Sequence, residues 1–443
     1  MQRSGTHSDV ALNLKPPALN VSGIEISWLQ LRRWTVKGSL AVADQGLFSG
    51  TNFILNILLA RWLSPEDYGA FAVAFSILIL LSSVHTALLT EPMVVFGPGK
   101  YADKQNKYFA MLIYGHIGVT LAFGGLTVLG AFAAEGLISR SLQWSLIGLG
   151  IATPMILLLW LVRRAFYVRL QPASAAAGGV LYMAVLVASL LLLQSYGYLS
   201  NFSAYLLMGG VAFLVSVVLL AVLRPQWAIA GNPTAAMVVD DHRKYGRWAL
   251  ALLVVNWMPW NLHILVLSSI LPFREIAGVR ALWNVILPVN HVLMALAGIS
   301  LPLFAERFRN RPGERTHLVK LFASLSIVIA TCYTAFLFLV GPKALEFVYK
   351  GNYSDVYDLA PVLAFAHIPL SVIMAFGLAY GALARSDKAL RNYLPYVVLT
   401  LILGLIGGVL WQVNGVVYGF LVSSFVGLLC SYLFFRKNWP LLS

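Results

Sequence analysis

Residues 201–223 read NFSAYLLMGGVAFLVSVVLLAVL and hold no charged side chain. A helix needs roughly 20 mostly apolar residues to cross the hydrocarbon core of a bilayer, and this stretch is long enough. Comparable runs recur at approximately 39–60, 69–96, 108–134, 137–162, 173–194, 247–271, 276–303, 317–340, 357–384, 390–411 and 414–435. Together they make about twelve. Pro and Gly inside several of them are tolerable, because neighbouring helices re-satisfy freed backbone groups in a membrane. Composition points the same way. Of the 443 residues, 59% are hydrophobic and 11% are charged, whereas a soluble domain carries roughly 25% charged residues. The mean hydropathy is +0.80. A chain of this kind has too few polar side chains to cover a surface facing water, and lipid resolves the conflict. Cys332 and Cys430 both fall in apolar runs, which leaves no disulfide framework and no metal cluster.

Basic residues set the expected orientation. With the N-terminus placed in the cytoplasm, 25 of the 31 Lys and Arg fall on the cytoplasmic side of the alternating spans. The other 6, Arg61, Arg140, Arg274, Arg280, Lys343 and Lys350, fall on the outer side. This asymmetry accounts for the net charge of +14 without nucleic acid, and it requires an even number of spans with both termini inside. The first residues are mostly polar, include Pro16 and Pro17, and lack an early apolar segment, so no cleavable signal peptide is expected. A short interfacial helix is expected around Ile24 to Trp34.

The longest internal polar stretch, Arg224 to Arg247, divides the spans six and six. Halves with an even number of spans start on the same side, so repeats would be parallel, related by an axis along the membrane normal. The loops around Pro65 and Pro272 echo each other, and the interval from Pro65 to Pro92 is close to that from Pro272 to Pro302. The expected fold class is an all-α polytopic membrane protein with about 12 transmembrane helices in two six-helix bundles of pseudo-two-fold symmetry. The expected organisation is a cytoplasmic tail over 1–38, an N-terminal bundle over 39–223, a cytoplasmic linker over 224–246, a C-terminal bundle over 247–435 and a cytoplasmic tail over 436–443.

Polar residues inside spans are costly and by default face the bundle interior. In the first span Gln45, Ser49, Asn52 and Asn56 recur on one helical face, with Asp44 flanking them. In the seventh, Asn256, Trp260 and His263 share a face with Asn261 beside them, and in the eighth Arg280, Asn284 and His291 do. These stripes line a water-filled cavity between the halves or act as helix–helix hydrogen-bonding glue. Arg61 lies at the rim, and Arg280 lies about one turn inside the outer surface, where it acts as a ligand or snorkels to the headgroups. Asp44 and Glu91, the latter before Pro92, are the coupling or gating candidates. His85 and His116 read as isolated packing residues. Trp257 and Trp260 offer ring faces for sugars, or mark the membrane interface. No catalytic constellation, Walker A sequence or large extramembrane loop is present, so the chain reads as a non-enzyme without a cofactor.

The stretch DQGLFSGTNFILNILLARWLSPEDYGAFAVAFSILILL, residues 44–81, resembles the first hairpin of oligosaccharide flippases, relatives of the multidrug and toxic-compound extruders. Asn52, Asn56, Arg61, Pro65, Tyr68, Gly69 and Phe71 carry the match. TEPMVVFGPGKY, residues 90–101, and GPKALEFVYKGNYSDVYDLAPVLA, residues 341–364, are similar to segments of polysaccharide-biosynthesis flippases. The resemblance implies a carrier that moves a polyprenyl-diphosphate-linked oligosaccharide across the cell inner membrane by alternating access, for lipopolysaccharide or exopolysaccharide synthesis. It implies contact with membrane lipids and working partnership with a polysaccharide polymerase and a chain-length regulator. A cation-coupled drug or small-solute antiporter of the same superfamily is the alternative. A major-facilitator transporter is a poor match, because GPGKYADKQNK at 97–107 lacks that family's loop signature. One departure is that the interior is not richly cationic, with Arg280 the main basic candidate within a span.

Overall fold

The computed structural model describes residues 19–21, 24–26, 28–227, 231, 233–383 and 385–439. Most of the expected N-terminal tail and the end of the C-terminal tail lie outside the described residues. Two short strands, β1 (Leu19–Val21) and β2 (Ile24–Ile26), pair antiparallel. The helix expected from Ile24 starts at Trp28 instead, because Leu19-Asn20-Val21 and Ile24-Glu25-Ile26 alternate with a period of two.

The rest is helical. The N-terminal half contains α1 (Trp28–Trp62), α2 (Pro65–His85), a π-helical turn (Thr86–Thr90), α3 (Glu91–Phe96), α4 (Gln105–Ala133), α5 (Arg140–Val168), α6 (Pro172–Ser195) and α7 (Asn201–Leu223). The C-terminal half contains α8 (Ala235–Leu267), α9 (Phe273–Asn310), α10 (Arg315–Tyr349), α11 (Leu359–Phe365), α12 (His367–Ala382) and α13 (Ser386–Asn438). Local signals explain the boundaries. Ser64 caps α2 by accepting from the Asp67 amide at 3.1 Å, with Pro65 at the first position and acids in the first turn. Ser200 and Ser203 form a reciprocal cap on α7.

Among the described residues, ten helical segments are long and apolar enough to cross a bilayer. The last of them, α13, is two crossings. It breaks at Trp411 and Gln412, whose φ of 53° is left-handed, and the chain turns back on itself there. The two arms touch backbone to backbone, since a Cβ on Gly415 would lie 1.8 Å from the Gly407 carbonyl oxygen. With α1, whose 39–60 stretch holds Asp44 as its one charged residue, the crossings number twelve. The stretch 224–246, expected as a linker, already contains the first turns of α8.

Within the first half, α5 sits centrally against α2, α4, α6 and α7, while α1 packs on α6. Within the second, α12 sits against α9, α10 and α13. The halves form two six-crossing lobes joined through α2 against α8 and α9. Apolar side chains such as Leu126 (70% exposed) and Leu339 (77% exposed) stand outward on the lobes, as a lipid solvent allows. At one end of the C-terminal lobe an aromatic cluster knits α9, α10, α12 and α13 together, with the Phe376 and Phe435 rings stacked at 4.2 Å.

Candidate functional site

The lobes are clamped at the end opposite the basic loops. A Cβ on Gly69 of α2 would lie 2.0 Å from the Phe273 carbonyl oxygen of α9, so only glycine permits this approach. Beside it Tyr353 donates to the Ala60 carbonyl at 3.2 Å, and Asn352 donates to the same oxygen at 3.3 Å. Arg61 donates to the Phe347 carbonyl at 3.3 Å. Arg61 is therefore held in this clamp, at the end of α1, and lies apart from the polar stripe below it.

Behind the clamp, a cavity of about 350 Å³ opens between the lobes. Asn52 and Asn56 of α1 line it with Ser49; α8 contributes Trp260 and Asn261, and α9 contributes Arg280, Asn284 and His291. The stripes of three spans thus converge on one space. Open space continues along α1 past this cavity, since Gly46 and Gly50 have no atom within 4 Å of a built Cβ. Gly298 of α9 likewise faces open space. Toward the basic end α8 still bridges the lobes. Gly246 abuts the Ala87 carbonyl in the π-helical turn, and Trp257 donates to the Ser76 carbonyl at 3.1 Å.

Arg280 is the electrostatic centre of the cavity. It is 9% exposed. Its Nε donates to Asn56 Oδ1 at 3.4 Å, and its guanidinium lies 4.8 Å from the centre of the Phe75 ring. Tyr68 donates to the same Asn56 oxygen at 3.4 Å and accepts from Asn284 Nδ2 at 2.8 Å. Asn284 Oδ1 has no partner. Among the described residues no carboxylate stands within ion-pair distance of Arg280. A buried cation met only by neutral acceptors and a ring face is poorly compensated. The Asn52 side chain is free of hydrogen bonds among the described residues.

Trp260 also walls a second cavity of about 620 Å³ inside the C-terminal lobe, shared at Asn290 and Met294. Asn256 lines this second space rather than the first. His263 is buried against the Trp283 ring, with centroids 5.2 Å apart, and lines neither. Asp44 belongs to a third pocket, of about 190 Å³, inside the N-terminal lobe. There Arg163 donates to Asp44 Oδ1 at 2.6 Å, and the Tyr167 hydroxyl donates to Oδ2. Arg163 also covers the Phe48 ring at 4.3 Å. Glu91 is half-buried in the first turn of α3, directly after the π-helical turn. The side chain of Gln45 lies outside the described residues.

Three participants escape reading along the chain. Tyr68 and Phe75 of α2 complete the Arg280 site, and Arg163 neutralises Asp44. Only the placement of Tyr68 within the flippase-like hairpin hinted at a role. His85 and His116 are not isolated: their rings approach to 3.0 Å between Nε2 and Nδ1, and His116 Nε2 reaches the Pro154 carbonyl at 3.1 Å. Their 31-residue separation carries no periodic signal.

No protein-family profile matches the chain. The lipopolysaccharide biosynthesis protein WzxC of Escherichia coli (strain K12) is 23% identical over 195 residues, covering 44% of this chain and 39% of that protein. In structure, the chain is similar to an inward-facing multidrug resistance MATE family transporter of the MOP superfamily, with a TM-score of 0.70 at 12% identity. That similarity covers 91% of this chain and 98% of the transporter. It is similar also to the lipid II flippase MurJ in an inward closed conformation, with a TM-score of 0.69 at 11% identity over 89% of this chain and 87% of that one. The chain therefore has the fold that these two proteins share.

Proposed function

We propose that the protein is a flippase that carries a polyprenyl-diphosphate-linked oligosaccharide from the cytoplasmic to the outer face of the cell inner membrane. The observation that carries this reading is Arg280, a buried cation without a carboxylate in the cavity between the lobes. A diphosphate cannot cross hydrocarbon unaided, and a guanidinium matches phosphate geometry in two parallel hydrogen bonds. Free amides at Asn52 and beside it supply further partners for phosphate and sugar oxygens. The prenyl tail stays in lipid and passes through a gap between the lobes. The partial likeness to WzxC and the fold likeness to MurJ support the same class of cargo.

With both termini inside, the clamp at Gly69 closes the outer end and the cavity faces the cytoplasm. The likeness to an inward-facing MATE structure supports this state. Transport then requires the clamp to open while the lobes close toward the basic end. Asp44, Glu91 and the π-helical turn lie on the N-terminal side of that movement and are the coupling and gating elements. A polysaccharide polymerase and a chain-length regulator are the partners this role calls for.

Deleting the gene should stop surface polysaccharide while lipid-linked repeat units accumulate on the cytoplasmic face. Wild-type protein should restore export and Arg280→Ala should not. Normal export in the deletion strain, with no paralogue present, would sink the proposal. The fold likeness to a multidrug transporter keeps a drug antiporter as the second reading. It predicts drug-dependent proton or sodium flux in proteoliposomes that lipid-linked sugars leave unchanged. The Arg280 cavity disfavours it for cationic drugs, because among the described residues no Asp or Glu lines that space.

A further inference from the structure

The 620 Å³ cavity of the C-terminal lobe differs in kind from the space around Arg280. Among the described residues, no charged side chain lines it. Leu293, Leu370, Ile373 and Met374 make most of its wall, and several polar residues, Ser371 among them, break that wall. Asn256 and Asn290 hold no hydrogen bond among the described residues. His367 donates from Nδ1 to the Leu363 carbonyl at 3.1 Å, which leaves Nε2 as a lone-pair acceptor. Asn392 donates from Nδ2 to the Ile373 carbonyl at 3.2 Å, which leaves Oδ1 as an acceptor. Neither remaining acceptor has a partner, and both residues are buried, at 2% and 0% exposed.

We infer that this cavity is the subsite for a neutral sugar ring of the cargo. A hydrogen-bonded ring sugar has apolar C–H faces and donor-rich hydroxyl edges. The first suit the apolar wall and the ring faces of Trp260 and Tyr393. The second suit the free amides of Asn256 and Asn290. A cationic ligand finds no counter-charge here, and a prenyl chain has no use for the polar groups. The location fits as well. Trp260, Asn290 and Met294 wall both cavities, so a sugar lodged here lies next to a diphosphate held at Arg280. The volume lies within the range of roughly 300–1,000 Å³ seen for small-molecule sites. Arg280 then selects the anion and the C-terminal lobe selects the sugar.

This inference rests on the flippase reading, and one binding experiment separates the two. The probes are farnesyl diphosphate, and farnesyl diphosphates carrying glucose, galactose or N-acetylglucosamine, titrated against the full-length protein in nanodiscs. Farnesyl diphosphate should bind the wild type and lose its affinity in Arg280→Ala. At least one sugar-bearing probe should bind the wild type tighter by on the order of tenfold or more. Asn256→Leu and Tyr393→Leu, at positions that line this cavity and not the one at Arg280, should abolish that gain and leave farnesyl diphosphate binding unchanged, which also shows that they fold. If no sugar adds affinity while farnesyl diphosphate still binds through Arg280, the subsite is refuted and the flippase reading stands. If Asn256→Leu tightens farnesyl diphosphate itself, the cavity holds prenyl chain and the inference falls. Failure of farnesyl diphosphate to bind at all overturns the flippase reading.

Discussion

Two buried arginines, one in each of two cavities, meet opposite treatment. Arg163, inside the N-terminal lobe, closes on Asp44 at 2.6 Å and covers the Phe48 ring. Arg280, between the lobes, covers the Phe75 ring in the same manner but finds only neutral acceptors, Asn56 and Tyr68, among the described residues. The first charge is neutralised within the protein. The second is left for something else to neutralise. Under the proposed function the uncompensated charge between the lobes is the one that meets the diphosphate of the cargo. The contrast also separates what each residue should do when removed.

The largest effect is expected at Arg280. Arg280→Ala should reduce export of lipid-linked repeat units by roughly 100-fold or more, since charge-assisted hydrogen bonds are worth about 1.5–3 kcal/mol each and a diphosphate offers at least two. The fold should survive, because Tyr68, Asn56 and Asn284 keep neutral hydrogen bonds to one another. Arg280→Lys keeps the charge and loses the planar fork, so export should recover only in part. Accumulated intermediate and the thermal midpoint, measured together, test this. An Arg280→Ala protein that unfolds would make the residue structural and dissolve the contrast.

Arg163→Ala should act the other way. It strands the Asp44 carboxylate, 1% exposed, without its cation, and breaking a buried pair is unfavourable by about 3–5 kcal/mol. Folded yield should fall before transport per folded molecule does. Asp44→Asn together with Arg163→Gln removes both charges and should recover most of the stability. If the double variant is as unstable as the single one, charge compensation is not what this pair supplies. If it is stable and yet does not transport, Asp44 is a coupling residue as well.

A middle-sized effect is expected where the lobes meet. Gly69→Ala places a methyl within 2.0 Å of the Phe273 carbonyl, so α2 and α9 must separate. With Cys332 and Cys430 replaced by Ser, a cysteine at Asn52 reports the result. A membrane-impermeant thiol reagent should reach it only from the basic end in the parent protein. In Gly69→Ala it should react from the opposite end too. Unchanged one-sided labelling would mean that the clamp at Gly69 does not hold the lobes closed.

These tests also mark what reading along the chain reveals. Hydropathy and helical period are local properties, so the apolar runs and the stripe of Asn52 and Asn56 on α1 are visible without a structure. Convergence of that stripe with Arg280 and Asn284 follows from the cost of facing lipid with polar groups. Pairing across the bundle has no such local mark. Asp44 meets Arg163 across 119 residues, and Tyr68 meets Asn284 across 216. Arg61 is expected at the rim of the cavity from its position along the first span, yet its place at the helix end sends it to the Phe347 carbonyl. The π-helical turn after His85 and the reversal at Gln412 are likewise backbone events that composition conceals.

The smallest effect is expected at the basic end, where α8 grips the N-terminal lobe. Its Asp241 accepts from Lys100 at 2.6 Å and from the Tyr101 hydroxyl. Next to it, His242 donates from Nδ1 to the Leu88 carbonyl at 2.8 Å and accepts from the Tyr108 hydroxyl at 2.7 Å. Burial pushes the His242 pKa below its ordinary 6.5, against the opposing pull of the Leu88 carbonyl and of Asp241. Asp241 is also burdened by burial, but its bonds to Lys100 and Tyr101 outweigh that and hold its pKa below the usual value. The neutral imidazole is therefore the native form, and the grip it supplies is present above about pH 6.5 and lost as pH falls below it. Each pH unit of that fall removes at most about 1.4 kcal/mol. Thermal midpoints measured from pH 7.5 to 5 should drop for the parent protein and drop less for His242→Gln, which keeps a donor and an acceptor but does not titrate. Because this grip joins the lobes at the basic end, acidification should also raise labelling of a cysteine at Leu88. An identical pH dependence in both proteins would remove His242 from the grip and leave it to Lys100 and Asp241 alone.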